Sequence, residues 1–353
     1  MLLLASSRFY LYLDTRSAMF ALVVARRRLA GLGRLARLST AAVPLYAPSI
    51  GEHVHPTAVI EPGARLGNGV SVGPYCVVGN DVVLGDGVRL ESHVRVAGHT
   101  VVGAGSVVHA FVTLGATPQD LKYAGEPSHL IIGERCRIAE YALLSGGTAI
   151  GGGVTSLGDG CFIMSHCHVA HDCHLGHDVL LASNAALAGH VQVGDGARIS
   201  GYACVQQRVS VGSGAFVGGG SVLAHDLIPH GLAVGNRAQL LSINLRGLRR
   251  QHASPAEQRA LLSTYRYLFD VTSAGFYEAL PLQPLPTLRQ RAECVLADDV
   301  SEYPRVRQLL RFVLGQRSVV TQSGSGAEAV PLSHRALCLP PIRTSRGLQD
   351  GSS

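Results

Sequence analysis

The sequence predicts an all-β solenoid, a parallel β-helix of six-residue repeats, followed by a C-terminal α-helical domain. Three observations predict it. Aliphatic residues recur every sixth position from Val54 to Leu114 without exception, eleven in a row. A small or β-branched residue recurs at a fixed offset within each repeat, as in VGPYCV, LGDGVR, VGAGSV and LGHDVL. The chain is also rich in Gly, with 42, low in charge at 15 %, and free of Trp. Such a period means strands that point one aliphatic side chain inward and turn every six residues, with Gly easing the turn sterically. Three hexapeptides make an 18-residue coil, and coils stack as parallel strands roughly 4.8 Å apart.

The elements follow in chain order. Residues 1–50 hold seven Arg, no Lys and one acid, Asp14, with Ser39 and Thr40 as small hydroxyl residues at a plausible cleavage point. This composition reads as a transit peptide over residues 1–40, with a mitochondrial address first and a plastid second. The apolar run 18–25 is too short to span a bilayer. The β-helix domain occupies residues 50–235. Between Leu114 and Ile132 lie 18 residues, one coil in length, containing GATPQDLKYAGEPS, a polar loop expected to be thrown out of the solenoid. The phase resumes at Ile132, Ile138, Leu144 and Ile150, slips at Gly151-Gly152-Gly153, and runs from Leu157 to Leu223. A helical domain over residues 254–316 begins at Ser254-Pro255-Ala256-Glu257, a capping-box pattern with Pro at the first helical position. Its first helix should run to about Phe269, with others near residues 287–297 and 305–314. Residues 321–353, rich in Ser, Gly and Pro, are expected to be disordered.

Without the first fifty residues the chain carries 23 basic and 23 acidic residues. That balance leaves no bulk charge for nucleic acid, and no transmembrane segment is expected. Cys76, Cys136, Cys161, Cys167 and Cys173 all fall at the small slot of the repeat, so they read as filler and not as disulfides or metal ligands.

The chemistry concentrates in His166-Cys167-His168-Val169-Ala170-His171-Asp172-Cys173-His174. An 18-residue coil converts sequence distance into stacking. His171, Gly189 and Gln207 form one column, and Asp172, His190 and Arg208 the next. A His beside a Gly amide and an acid can supply a general base and an oxyanion donor.

The segments HPTAVIEPGARLG, QDLKYAGEP, HVAHDC, LASNAALAGHVQVG and NLRGLRR, over about residues 50–315, resemble the UDP-N-acetylglucosamine O-acyltransferase family of hexapeptide-repeat enzymes. The resemblance implies a left-handed β-helix and a homotrimer with sites between neighbouring prisms. It implies transfer of a 3-hydroxyacyl group from acyl carrier protein to the 3-hydroxyl of UDP-N-acetylglucosamine, the first step of lipid A biosynthesis, without cofactor or metal. His171 matches the family's general base, Asp172 its dyad partner and Gly189 its oxyanion donor. His168, His190, Gln207, Asp120 and Lys122 match substrate contacts. Asn244 and Arg250 match nucleotide contacts, and Gly219 the position that limits acyl length.

Departures from the family pattern stand at Gln206, Ala139-Glu140-Tyr141, Ser145-Gly146-Gly147, Arg246 and Gln251. They motivate one alternative, a weak or inactive trimeric scaffold. The spacing of His166 and His171 motivates another, a zinc protein like γ-class carbonic anhydrases.

Overall fold

The computed structural model describes residues 53–269, 287–316 and 337–339. The predicted leader and most of the predicted tail lie outside the described residues. No described helix is long and apolar enough to cross a membrane.

Each hexapeptide forms a two-residue strand and a tight turn, and the strands stack into three faces. The first face runs from His53–Val54 to Phe216–Val217 and on to Gly231–Val234 and Gln239–Ile243. The second runs from Val59–Ile60 to Val222–Leu223, and the third from Arg65–Leu66 to Ser210–Val211. Neighbouring strands are parallel and offset by 18 residues in the regular coils, as in Val54↔Val72 and Leu187↔Val205. The sixth-position aliphatics fill the axis: Leu84, Ile138, Leu144, Leu187 and Ile199 are fully buried. Each such side chain contributes about 1.5–3 kcal/mol by leaving water. The five slot cysteines are buried among them as free thiols. Val54 and Leu66, by contrast, stay exposed, and Ile60 is only half-buried, at the N-terminal end of the described prism.

The loop after Leu114 is thrown out of the solenoid as expected, without replacing a whole coil. It lies at one corner, between the second-face strand Thr113–Ala116 and the third-face strand His129–Ile132, and lengthens that coil, so that Leu114 pairs with Leu144. Ile150, against expectation, does not continue the inward phase. It sits in a 3₁₀ turn, Ala149–Gly151, and is 64 % exposed. The chain detours between Leu143–Ser145 and Val154–Leu157, again between the second and third faces. Both interruptions therefore project from the same corner.

The prism also outlasts its period. After Leu223 the chain makes a last irregular turn that buries Leu227, Ile228 and Ala233, and then Gln239–Ile243 returns antiparallel. Among the described residues four α-helices follow, α1 (Leu245–Arg250), α2 (Pro255–Phe269), α3 (Leu288–Leu296) and α4 (Pro304–Val313). The last three match the predicted helices; α1 was not foreseen. Ser254 Oγ accepts from Glu257 N at 3.1 Å, as a helix cap should. The Glu257 carboxylate does not close the capping box. It binds Arg305 of α4 at 2.6 Å and ties α2 to α4. A full capping box, Thr287 with Gln290, instead opens α3. Residues 337–339 depart from the predicted disorder: Cys338 is buried, and its N–H donates to Asp226 O at 2.7 Å.

His230 lies buried where this domain meets the prism. Burial, reinforced by the charge of Arg305 and opposed by Gln308, pushes its pKa down to about 4. The unfolded chain would protonate it near pH 6.5, whereas the folded chain resists until about pH 4. Stability is therefore full above pH 6.5 and falls by up to about 3 kcal/mol as pH drops towards 4. Melting temperatures across this window should fall more steeply for the natural chain than for His230→Asn, which tolerates the left-handed backbone at this position (φ 57°). Equal slopes would show that His230 contributes nothing to the acid sensitivity.

Candidate active site

The corner between the second and third faces carries the chemistry. In successive coils its turns hold His171-Asp172, Gly189-His190 and Gln207-Arg208, stacked as the 18-residue period requires. His190 N donates to His171 O, and Arg208 N to Gly189 O, both at 2.9 Å. Asp172, His190 and Arg208 all adopt the left-handed backbone, with φ of 60°, 62° and 66°.

His171 is 5 % exposed and Asp172 2 %. The imidazole Nδ1–H donates to Asp172 Oδ2 at 2.8 Å, which leaves Nε2 as the nitrogen able to take a proton. The ring packs over the Gly189 backbone, where a Cβ would collide with it. The Gly189 N–H has no acceptor among the described residues, so it is available as a donor beside the imidazole. His190 stands edge-on to His171, its Nδ1 3.6 Å from Asp172 Oδ2. Burial lowers the His190 pKa, and the Asp172 charge partly offsets this.

The loop of residues 117–128 folds back onto the same corner of its own prism. Gln119, Asp120, Leu121, Lys122, Ile150, His171, His190, Gln207 and Arg208 line one cavity of about 410 Å³. Asp120 accepts from Lys122 N at 2.9 Å. That bond chiefly holds its carboxyl below the ordinary range, with help from the charges of His171, Lys122 and His190. Asp120 and Lys122 thus meet His171 within one chain and need no neighbouring subunit to do so.

Other predicted residues lie elsewhere. His168 is half-buried on the second face and outside the lining of this cavity, its pKa lowered by burial and by His171. Gly219 is at the corner between the first and second faces. A Cβ there would make only ordinary contacts, so the backbone does not demand glycine. Asn244 caps α1: its Oδ1 accepts from Gly247 N at 2.9 Å and its Nδ2 donates to Gly214 O at 3.0 Å. With its amide engaged at both ends, it positions α1, whose last turn carries Arg249 and Arg250. Gly214 belongs to the corner between the third and first faces. Within one chain, Asn244 and Arg250 are therefore not brought to His171.

Of the departures, Ser145 and Gly146 are buried and do not line the cavity. A Cβ at Gly146 would strike the Ser128 hydroxyl, so a larger residue there requires the Ser128 side chain to move. The His-rich run is dispersed by the fold. His166 stacks on Tyr141 one corner away, and His174 bonds Ser156 at 2.9 Å on the third face. His166 and His171 do not converge in one prism. His171, Asp172 and His190 are close enough to suggest a metal site, but both Asp172 oxygens already accept hydrogen bonds. A larger cleft of about 1090 Å³ lies between the third face and α4, lined by Gln192, Ser213, Arg305, Arg307 and Arg311 among others. It contains no base–acid pair.

Sequence reasoning missed Thr148 and Thr155. Thr148 donates from N and Oγ1 to Asp172, and Thr155 Oγ1 accepts from Asp172 N at 2.8 Å. Neither has a periodic signal, because each depends on the detour at residues 145–153.

Comparison with known proteins adds independent findings. Residues 226–320 match the family model "Udp N-acetylglucosamine O-acyltransferase; Domain 2", and residues 154–189 match "Bacterial transferase hexapeptide (six repeats)". The chain is 48 % identical over 216 residues to an acyl-[acyl-carrier-protein]--UDP-N-acetylglucosamine O-acyltransferase of Burkholderia thailandensis, spanning 61 % of this chain and 82 % of that protein. Among solved structures, it resembles a UDP-N-acetylglucosamine acyltransferase from Campylobacter jejuni, at 37 % identity and a TM-score of 0.67 over 74 % of this chain and 95 % of that one. It also resembles the Arabidopsis UDP-N-acetylglucosamine acyltransferase, at 32 % identity and a TM-score of 0.63 over 78 % and 99 %. The solenoid is thus a left-handed parallel β-helix.

Proposed function

Because the chain belongs to the UDP-N-acetylglucosamine O-acyltransferase family, its reaction is acyl transfer from acyl carrier protein to UDP-N-acetylglucosamine, and we propose that His171 is the base that drives it. The observation that carries this reading is the buried His171–Asp172 pair set over the Gly189 amide. His171 Nε2 takes the proton of the sugar 3-hydroxyl as that oxygen attacks the thioester carbonyl. Asp172 stabilises the imidazolium, and the Gly189 N–H donates to the oxyanion. The tetrahedral intermediate then expels the carrier thiolate, which recovers the proton from His171. Product is the 3-O-acylated sugar nucleotide, the first intermediate of lipid A, with a 3-hydroxyacyl chain as the transferred group. Asp120, Lys122, His190 and Gln207 contact the sugar nucleotide and acyl chain, and Gly219 leaves room for a longer chain. Mass spectrometry of reactions with UDP-N-acetylglucosamine and a panel of hydroxyacyl carrier proteins tests this. No product with any carrier would favour the inactive scaffold.

The working unit is a homotrimer. The support is positional: Asn244 anchors α1 at a different corner from His171, so a neighbouring prism must bring Arg250, in the last turn of α1, to the site. Light scattering at micromolar concentration should report three chains. Mixed trimers of His171→Ala and Arg250→Ala should regain activity, because one intact site can be assembled from two chains. Mixtures of His171→Ala and Asp120→Ala should regain it only through sites built wholly on one chain's corner, which neither mutant supplies. Recovery in that second mixture would contradict the single-chain cavity.

The Arg-rich residues 1–40 direct the protein to mitochondria. A reporter fused to residues 1–50 should be imported; a cytosolic signal would refute this address, and a plastid signal would select the other.

A further inference from the structure

We propose that Thr148 is a positioning residue for the His171–Asp172 pair, and that the non-repeating stretch 145–153 serves to carry it there. This rests on the reading of His171 as the base. A regular corner would pass from the second face to the third in one hexapeptide step. Here the coil is longer: Ile138 pairs with Ile163, not with the residue 18 further on. The added length brings Thr148, itself buried, against Asp172.

Thr148 N donates to Asp172 Oδ1 and Thr148 Oγ1 to Asp172 Oδ2, both at 2.7 Å. Together they fix the plane of the carboxylate, with Oδ2 directed at His171 Nδ1. The hydroxyl is placed for this purpose. Thr148 is the N-cap of the 3₁₀ turn Ala149–Gly151, yet its side chain makes no capping bond to that turn. A Thr at an N-cap ordinarily accepts from a helix N–H; this one donates to the neighbouring coil instead. The surroundings enforce the contact. Gly151 lies so close that a Cβ would fall on the Asp172 carboxylate. Glu126 holds the turn from the other side, accepting from Ala149 N at 3.2 Å and from Ala124 N at 2.8 Å. The detour is therefore clamped between the loop bearing Asp120 and the acid of the dyad.

An acid in this role keeps the imidazole in the tautomer that leaves Nε2 open, and it does so only while its own orientation is fixed. Thr148→Val keeps the shape and the backbone N–H but deletes the hydroxyl proton. Turnover should fall roughly 10–100-fold, the scale of one hydrogen bond to a charged group, while KM should change by less than about threefold, since the lost contact does not touch substrate. With one donor fewer on the carboxylate, more of its charge falls to His171, so the acid limb of the kcat–pH profile should move to higher pH. Thr148→Ser, which restores the hydroxyl, should recover both turnover and limb. Melting temperatures of both variants separate this from unfolding. A Thr148→Val enzyme with wild-type turnover or an unmoved limb, or a serine variant no better than the valine one, would overturn the assignment. His171→Ala is measured alongside. Activity surviving in that variant would sink the base assignment itself, whatever Thr148→Val does.

Discussion

Replacing His171 by alanine will lower kcat by ~10²–10⁴-fold, the usual contribution of a positioned general base. The expectation rests on a convergence that no other histidine among the described residues shares. His171 has an acid on Nδ1 at 2.8 Å, an open Nε2 over the Gly189 amide, and a place in the lining of the cavity that also holds Asp120 and Lys122. His190 lies in that cavity but only 3.6 Å from the same carboxylate and off the Gly column, so His190→Ala should raise KM more than it lowers kcat. His168 is outside the lining, and its alanine variant should have the smallest effect of the three. The fold should survive in each case, because none of these side chains belongs to the aliphatic axis. Steady-state kinetics on the three variants, with melting curves as controls, decides the matter. Near-normal turnover in His171→Ala would refute the mechanism.

Gly189→Ala should be almost as damaging, though it adds one carbon and removes no polar group. The new Cβ would occupy the space now filled by the His171 ring. The ring cannot retreat freely, since Asp172 holds its Nδ1 and the coil above fixes the backbone. Either the hydrogen bond to Asp172 breaks or the amide at position 189 moves from the line of the developing oxyanion. Loss of an oxyanion donor alone costs about 10²–10³ in kcat. The discriminating measurement is the pair Gly189→Ala and Gly219→Ala. The second alanine meets only ordinary contacts and should leave turnover on a short acyl chain unchanged, while a longer acyl chain should be transferred less well. Full activity in Gly189→Ala would mean that the ring and amide are not juxtaposed as described.

The regular parts of this molecule are written plainly in its sequence, and the irregular parts are not. A six-residue period in Val, Ile and Leu can be satisfied only by a structure that repeats every six residues, so the axis from Val72 to Leu223 was legible residue by residue. The same arithmetic placed His171 under Gly189 and Asp172 under His190. It failed where the chain leaves the period. Ile150 matches the phase by coincidence and faces solvent, because spacing records position along the chain and not whether a coil has been lengthened. The loop at residues 117–128 is 18 residues from aliphatic to aliphatic, and a count alone cannot distinguish a coil from an enlarged corner. Asn244 was matched to a ligand contact, yet its amide serves the start of α1, a commitment that depends on the Gly214 carbonyl brought near by folding. Thr148 carried no signal at all, because it sits in the detour, where the 18-residue count no longer places partners.

The exposed Val54 and Leu66 bear on how such a body comes apart. A solenoid is held together by nearest-neighbour interfaces, so its coils need not melt together. The first described coils, with one neighbour among the described residues and apolar side chains still in water, should fray at modest free energy, as a zipper opens from its end. The coils around His171 have neighbours above and below and can open only after several interfaces have been lost. Amide hydrogen exchange should therefore run as a gradient along the axis, fastest near Val54 and slowest near Leu187. The enzyme could shed order at that end and keep its dyad aligned.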